Sequence, residues 1–345
     1  MDSLTQIVLG AAVGEAVLGK KVGNKALLWG AVAGTIPDLD VIAKFLTDSL
    51  RANELHRGFS HSIIFCIMAA PVFGYIINRF YKHQEESDFK GWTKLFFWGL
   101  FTHPLLDSFT TWGTQLFWPM EYKVSFHNIF VIDPLYTVPF LICTIAVLFY
   151  KRTDSRRRKW NWWGIKISSI YMVITLLLKW YTYGKFENSL KQQNISYQNI
   201  QTKPTPMNTI LWSANVQREE EYKIGFYSLM DKDDSIKFNS HPKNLHLIAG
   251  YLDNSFIKRL IKLTQGWYTI TKEEGKMYFN DLRFGEMGIR NEDDEKVENG
   301  GKFVFKYELI FDKEDRIIGA EAVEPKNENM KPLLIQLIER VKGNK

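Results

Sequence analysis

Residues 129–150, IFVIDPLYTVPFLICTIAVLFY, run directly into residues 151–159, KRTDSRRRK. The first stretch is 22 residues long and carries one charge, Asp133. As a helix rising about 1.5 Å per residue it is long enough to cross the roughly 30 Å hydrocarbon layer of a bilayer. The second stretch sets six basic side chains against Asp154, the composition that the positive-inside rule puts at the cytoplasmic end of a span. Together they predict a multi-pass helical membrane protein.

Working outward, residues 160–183 place Trp160, Trp162 and Trp163 at one end and Trp180, Tyr181 and Tyr183 at the other, around an apolar interior. Such aromatic belts sit at the two membrane interfaces. Residues 63–81 and 95–112 have a similar length, separated by a polar stretch at 82–94. Residues 4–18 and 26–45 are rich in small side chains, with Gly10 and Gly14 spaced for close helix contact. About six helical segments are expected. With the Arg-rich loop in the cytoplasm, the loops at 46–60 and 113–128 and everything beyond residue 183 fall outside. The amino-terminal stretch lacks the basic region of a signal peptide and is expected to remain as the first helix.

Composition agrees with two unlike halves of a 345-residue chain. Residues 1–183 hold 19 Lys+Arg against 13 Asp+Glu, and the remainder holds 25 of each, so the net charge of +6 belongs to the first part. The basic loop accounts for most of it, and no direct nucleic-acid binding is expected. Apolar residues at 46% exclude a disordered chain. Cys66 and Cys143 both lie in apolar runs, which excludes a disulfide framework and a cysteine zinc site. Residues 184–206 are polar and end in Lys203-Pro204-Thr205-Pro206, as a linker would. Beyond them, strand-like runs at 208–216, 222–230, 267–272, 276–283, 302–311 and 316–323 and helical runs at 244–264 and 331–342 predict an extracytoplasmic α+β domain over 207–345. The acidic stretch 291–301 reads as a solvated loop, and His241 and His246 as structural or exposed.

Ligand-type residues concentrate in the first half. Asp38 and Asp40 follow Pro37; His56, Arg57 and His61 lie within one short run; His103 and Asp107 are four apart; Asp133 precedes Pro134. Carboxylates inside an apolar stretch are costly without a partner. An i, i+4 spacing puts His103 and Asp107 on one helix face, within reach of one metal. Pro104 is expected to break that segment, with Thr102 capping the restart, and Ser60 is a candidate cap for the helix starting near His61. In the expected topology all four groups lie toward the outer ends of their segments. Asp38, Asp40, His56, His61, His103 and Asp107 are therefore the candidate metal ligands. Asp38 is also a candidate base and Arg57 a candidate anion clamp. For Asp133 ligand, supporting and solvated roles stay open, and Glu15 is expected to pair with a Lys or pack among polar groups. A His and Asp donor set without Cys favours Zn²⁺, with Mn²⁺ or Fe²⁺ as alternatives. A cation so held suits hydrolytic chemistry. No Gly-x-Ser-x-Gly elbow, P-loop or His-Glu-x-x-His is present.

At these motifs the chain resembles a known family. Met1-Asp2-Ser3-Leu4-Thr5-Gln6 with Gly10, Gly34-Thr35-Ile36-Pro37-Asp38-Leu39-Asp40, His56-Arg57-Gly58-Phe59-Ser60-His61-Ser62, and His103-Pro104-Leu105-Leu106-Asp107 with Thr111-Trp112-Gly113 look like the membrane-bound, metal-dependent hydrolases of the YdjM-like group. Many of its members have His where this chain has Gln6. The resemblance implies a multi-pass bacterial or archaeal inner-membrane protein, and the group's association with LexA binding implies a regulatory alternative. The His103 to Asp107 spacing is also similar to the His-x-x-x-Asp of zinc-dependent phospholipases C. The leading expectation is a hydrolase acting at the outer leaflet on a membrane lipid or lipid-linked phosphodiester. The alternatives are a non-catalytic sensor holding a structural metal, and a metal-coupled or proton-coupled transporter, for which no convincing internal repeat is visible.

Overall fold

The computed structural model describes residues 1–81, 88–286, 303–323 and 330–344. The acidic stretch 291–301 and residues 82–87 of the polar stretch 82–94 lie outside the described residues. Helices α1 (Ser3–Val22) and α2 (Asn24–Thr35) are followed by a 3₁₀ segment, Ile36–Phe45. Then come α3 (Ser49–Leu55), α4 (Ile63–Phe80), α5 (Phe89–Asp107), α6 (Pro134–Leu148) and the 38-residue α7 (Ser155–Gln192). All six expected segments are therefore helical. Among the described residues, three stretches, Asn24–Phe45, Ile63–Phe80 and Ser155–Gln192, are long and apolar enough to cross a membrane, and Pro134–Leu148 is a shorter apolar helix.

The chain divides into two compact units. The first comprises Met1–Ala43, Leu55–Leu178 and Pro206–Thr209, and the second Lys44–Glu54, Lys179–Thr205 and Ile210–Lys345. In the first unit, side-chain caps set the helix starts. Asp2 accepts from Thr5 N, Asp88 from Gly91 N, and Asp133 from Leu135 N and Tyr136 N, with Pro134 at the first helical position. Helices α1 and α2 cross where neither carries a side chain. A Cβ on Gly10 would collide with the Gly30 carbonyl, one on Gly14 with that of Ala26, and one on Gly34 with Gln6 O at 2.6 Å. The expected close-packing pair Gly10 and Gly14 thus meets a matching stripe on α2. Around this crossing, Leu18, Ala33, Cys66, Trp92, Phe96 and Leu100 form one buried cluster, and Val8, Leu106, Tyr136, Phe140 and Met172 another. Glu15 is buried and paired with Arg157 (Nη2 to Oε2, 2.6 Å) rather than with a lysine. Ile67, Met68, Val72 and Tyr75 are each more than half exposed on α4, an apolar surface that hydrocarbon can cover.

Two local expectations are corrected. Helix α5 continues unbroken through Pro104 to Asp107. Thr102 Oγ1 donates to Trp98 O inside the helix, so no restart is needed. Ser62, not Ser60, caps α4 by accepting from Phe65 N.

The second unit contains two four-stranded antiparallel meanders, ordered β1-β2-β3-β4 and β5-β6-β7-β8. The first comprises β1 (Asn199–Pro204), β2 (Leu211–Gln217), β3 (Glu221–Ser228) and β4 (Phe238–Pro242). Helix α8 (Ser255–Leu263) precedes β5 (Tyr268–Glu273), β6 (Lys276–Glu286), β7 (Phe303–Phe311) and β8 (Ile317–Val323), and α9 (Met330–Val341) ends the described fold. Tyr222, Trp267, Leu282 and Phe303 form a buried cluster. Within the stretch 184–206, α7 runs on to Gln192 and β1 occupies Asn199–Pro204.

Candidate metal centre

Four of the expected ligands converge in the first unit. Asp38 sits in the 3₁₀ segment after α2, His61 just before α4, and His103 and Asp107 on the last turns of α5. One donor atom from each lies within 4.8 Å of all the others. His61 Nε2 is 3.2 Å from His103 Nε2, 3.4 Å from Asp38 Oδ1 and 3.5 Å from Asp107 Oδ2. His103 Nε2 is 3.3 Å from Asp38 Oδ1 and 3.6 Å from Asp107 Oδ2. A tetrahedral ion bound at about 2.0–2.2 Å would space its ligands roughly 3.3–3.6 Å apart. Four of the six edges of the cluster fall in that range, and the 3.2 Å between the two imidazoles lies just below it.

The outer nitrogens of the two imidazoles say which protonation state the site favours. His103 Nδ1 lies 2.6 Å from the carbonyl oxygen of Gly34. A carbonyl only accepts, so the ring hydrogen sits on Nδ1 and Nε2 presents its lone pair. His61 Nδ1 faces Asp40 Oδ2 at 3.3 Å and Ser60 Oγ at 2.9 Å, the same arrangement with a carboxylate. Two lone pairs and two carboxylates then point at one spot, a donor set that needs a cation. Without a metal, a proton answers that need. Burial opposes a charged imidazole at His61, but Asp107, Asp38 and Asp40 outweigh it and push the pKa up to about 9. The residues present therefore fit a divalent metal.

The remaining expected residues stand around or away from this centre. Asp40 supports the run after α3, accepting from Arg57 N at 2.8 Å and facing His56 Nδ1 at 3.0 Å. His56 lies edge-on to Trp112, with ring centroids 5.4 Å apart. Arg57 takes the left-handed backbone conformation, φ 58°, and is 4% exposed. Its Nε lies 2.9 Å from Asp107 Oδ2 and its Nη1 donates to Thr110 Oγ1 at 2.7 Å. The Nε thus faces the Asp107 carboxylate and Nη1 is tied to Thr110, so both turn inward instead of reaching outward. Asp133 caps α6 and accepts from Tyr171 Oη at 2.9 Å. Sequence reasoning did not anticipate the Gly34 carbonyl or Thr110. Gln6, which the sequence motif singled out as standing at a position where His is common, donates from Nε2 to Asp107 Oδ1 at 2.9 Å. A backbone carbonyl leaves no mark in a sequence.

The sequence model of the YdjM inner membrane protein family matches residues 1–183. Over 182 residues the chain is 30% identical to the uncharacterized protein YfhP of Bacillus subtilis (strain 168). That match covers 50% of this chain and 51% of YfhP, so the chain spans about half the length of the curated relative it matches. No solved structure matches the chain. With the family's sequence model covering residues 1–183, more than half of the chain and all four residues of the candidate metal centre, the chain belongs to the YdjM inner membrane protein family.

Proposed function

We propose that this protein is a membrane-bound, metal-dependent hydrolase acting on a lipid or lipid-linked phosphodiester at the extracytoplasmic face. The observation that carries the reading is the pair of imidazole Nε2 atoms facing each other at 3.2 Å between two carboxylates. Asp38, His61, His103 and Asp107 hold the cation, and Zn²⁺, Mn²⁺ or Fe²⁺ suits their donor set. Such a cation supplies Lewis acidity and brings the pKa of water to about 7. The Asp38 side chain is 22% exposed while the other three are fully buried, so water and substrate meet the centre on the Asp38 side. With its Oδ1 turned to the histidines, Asp38 has a second oxygen to accept the proton of the attacking water. Arg57 places positive charge beside the centre through Asp107, which favours an anionic substrate. Asp133 acts on the start of α6. Leu39, Val41 and Ile42 flank Asp38 and Asp40 and are 52%, 42% and 50% exposed, an apolar surround suited to an acyl chain. The basic loop at 151–159 supports an extracytoplasmic site on the opposite face.

A second reading is favoured by the ligand count. Four protein groups suffice to close a tetrahedral shell, as in structural zinc sites, and a sensor or regulator would hold its metal that way. The two readings differ in whether a position stays open. In the purified Co²⁺-loaded protein, excess inorganic phosphate should shift the visible absorption, and the wild type should hydrolyse lipid phosphodiesters where His103→Ala and Asp107→Ala do not. Stable metal with no spectral response and no turnover would select the sensor.

A further inference from the structure

Residues Lys44–Glu54 fall in the second compact unit, with the C-terminal domain, although in sequence they lie between the Asp38 and Asp40 motif and the His56 and His61 motif. Three separate elements of that domain hold them. Arg259 of α8 makes a forked ion pair with Glu54, Nε to Oε1 at 2.7 Å and Nη2 to Oε2 at 3.0 Å. Asn53 Nδ2 donates to the hydroxyl of Tyr307 on β7 at 2.9 Å, and Tyr307 is 1% exposed. On β8, Ala322 N donates to Ser49 Oγ at 3.0 Å. Leu50 and Ala52 are buried. Helix α3 is seven residues long, too short to persist without packing. Helix α3 therefore depends on packing, and its contacts with α8, β7 and β8 contribute to it.

We propose that the C-terminal domain positions the metal ligands through this grip, with Glu54 and Arg259 as its principal positioning residues. The inference rests on the metal reading above. The transmission is along the chain. Asp40 lies four residues before the gripped segment, and His56 two residues after it. A slack loop would have to lose the entropy of closure each time the two motifs meet around a cation. A segment already immobilised by α8, β7 and β8 removes most of that cost and fixes the spacing between the motifs. The elements α8, β7 and β8 that make the grip lie outside the 1–183 match.

The test uses the full chain in nanodiscs, with Zn²⁺ affinity and amide hydrogen exchange over residues 44–57 as readouts. Glu54→Arg and Arg259→Glu, each alone, should raise exchange in this segment and weaken Zn²⁺ binding about tenfold or more, the scale of a lost charge-assisted pair. The double variant carrying both changes should restore slow exchange and wild-type affinity, which a merely misfolded single variant would not permit. Raised exchange with unchanged Zn²⁺ affinity would overturn the positioning role, and unchanged exchange would overturn the grip. Absence of Zn²⁺ binding in the wild type would overturn the metal reading, and the positioning role with it, while the exchange data would still report the grip separately.

Discussion

His103 Nδ1 donates to the carbonyl oxygen of Gly34 at 2.6 Å, and Gly34 belongs to the glycine stripe on which α1 and α2 cross. The same close approach of two helices therefore orients a candidate ligand imidazole. Gly10→Leu should push α2 away from α1, cost about 1–3 kcal/mol as overpacking does, and lower Zn²⁺ affinity while leaving all four ligands in the sequence. Thermal unfolding and a zinc titration of the purified variant check both effects. Unchanged affinity with a lowered melting temperature would separate packing from orientation.

Asp133 is fully buried, and its contacts are with the first turn of α6 and with Tyr171. Asp133→Asn keeps a capping side chain, and Asp133→Ala removes it at a cost of about 1 kcal/mol. Neither should change metal content, measured by elemental analysis. A variant that loses its metal would move Asp133 into the centre.

Much of the candidate metal centre was legible in the sequence, because three motifs that carry costly polar groups in apolar surroundings supply its residues. The i, i+4 spacing of His103 and Asp107 needed only a helix, and α5 supplies one. Arg57 was harder, since the same guanidinium can reach out to a substrate or inward to Asp107, and only coordinates distinguish them. Strand β1 was hidden because its buried residues are Thr202, Lys203 and Pro204, which read as linker chemistry. The membership of 44–54 in the C-terminal unit was invisible for a different reason. Its contacts span more than 200 residues of sequence and depend on tertiary packing alone.

Lys203 gives the C-terminal domain a pH dependence of known sign. Burial is the main cause that pushes its ammonium pKa down to about 7, against about 10.4 in an unfolded chain. Between those values the unfolded state holds a proton that the folded state has released. Unfolding then takes up protons, and stability rises with pH, by up to about 1.4 kcal/mol per unit. Urea unfolding of the domain in the full chain at pH 7 and pH 9 should show this gain, and Lys203→Met should abolish it. An equal gain in the variant would assign the effect elsewhere.

Residues 44–54 and the C-terminal strands form one compact unit, which predicts that they share one side of the bilayer, with an even number of crossings between them. Arg51→Cys and Lys276→Cys place thiols at side chains that are 53% and 57% exposed, and the native Cys66 and Cys143 are buried. A membrane-impermeant maleimide applied to intact cells should label both. Labelling of one without the other would contradict the shared side, and labelling of both only after lysis would reverse the topology.

The most direct measurement is metal stoichiometry combined with X-ray absorption on the purified full-length protein. One divalent ion per chain, bound by two imidazole nitrogens and carboxylate oxygens, is expected in the wild type, with the ion lost in His61→Ala and in His103→Ala. A wild type that purifies and titrates without metal, or a folded variant lacking both imidazoles that binds it as tightly as before, would contradict the account.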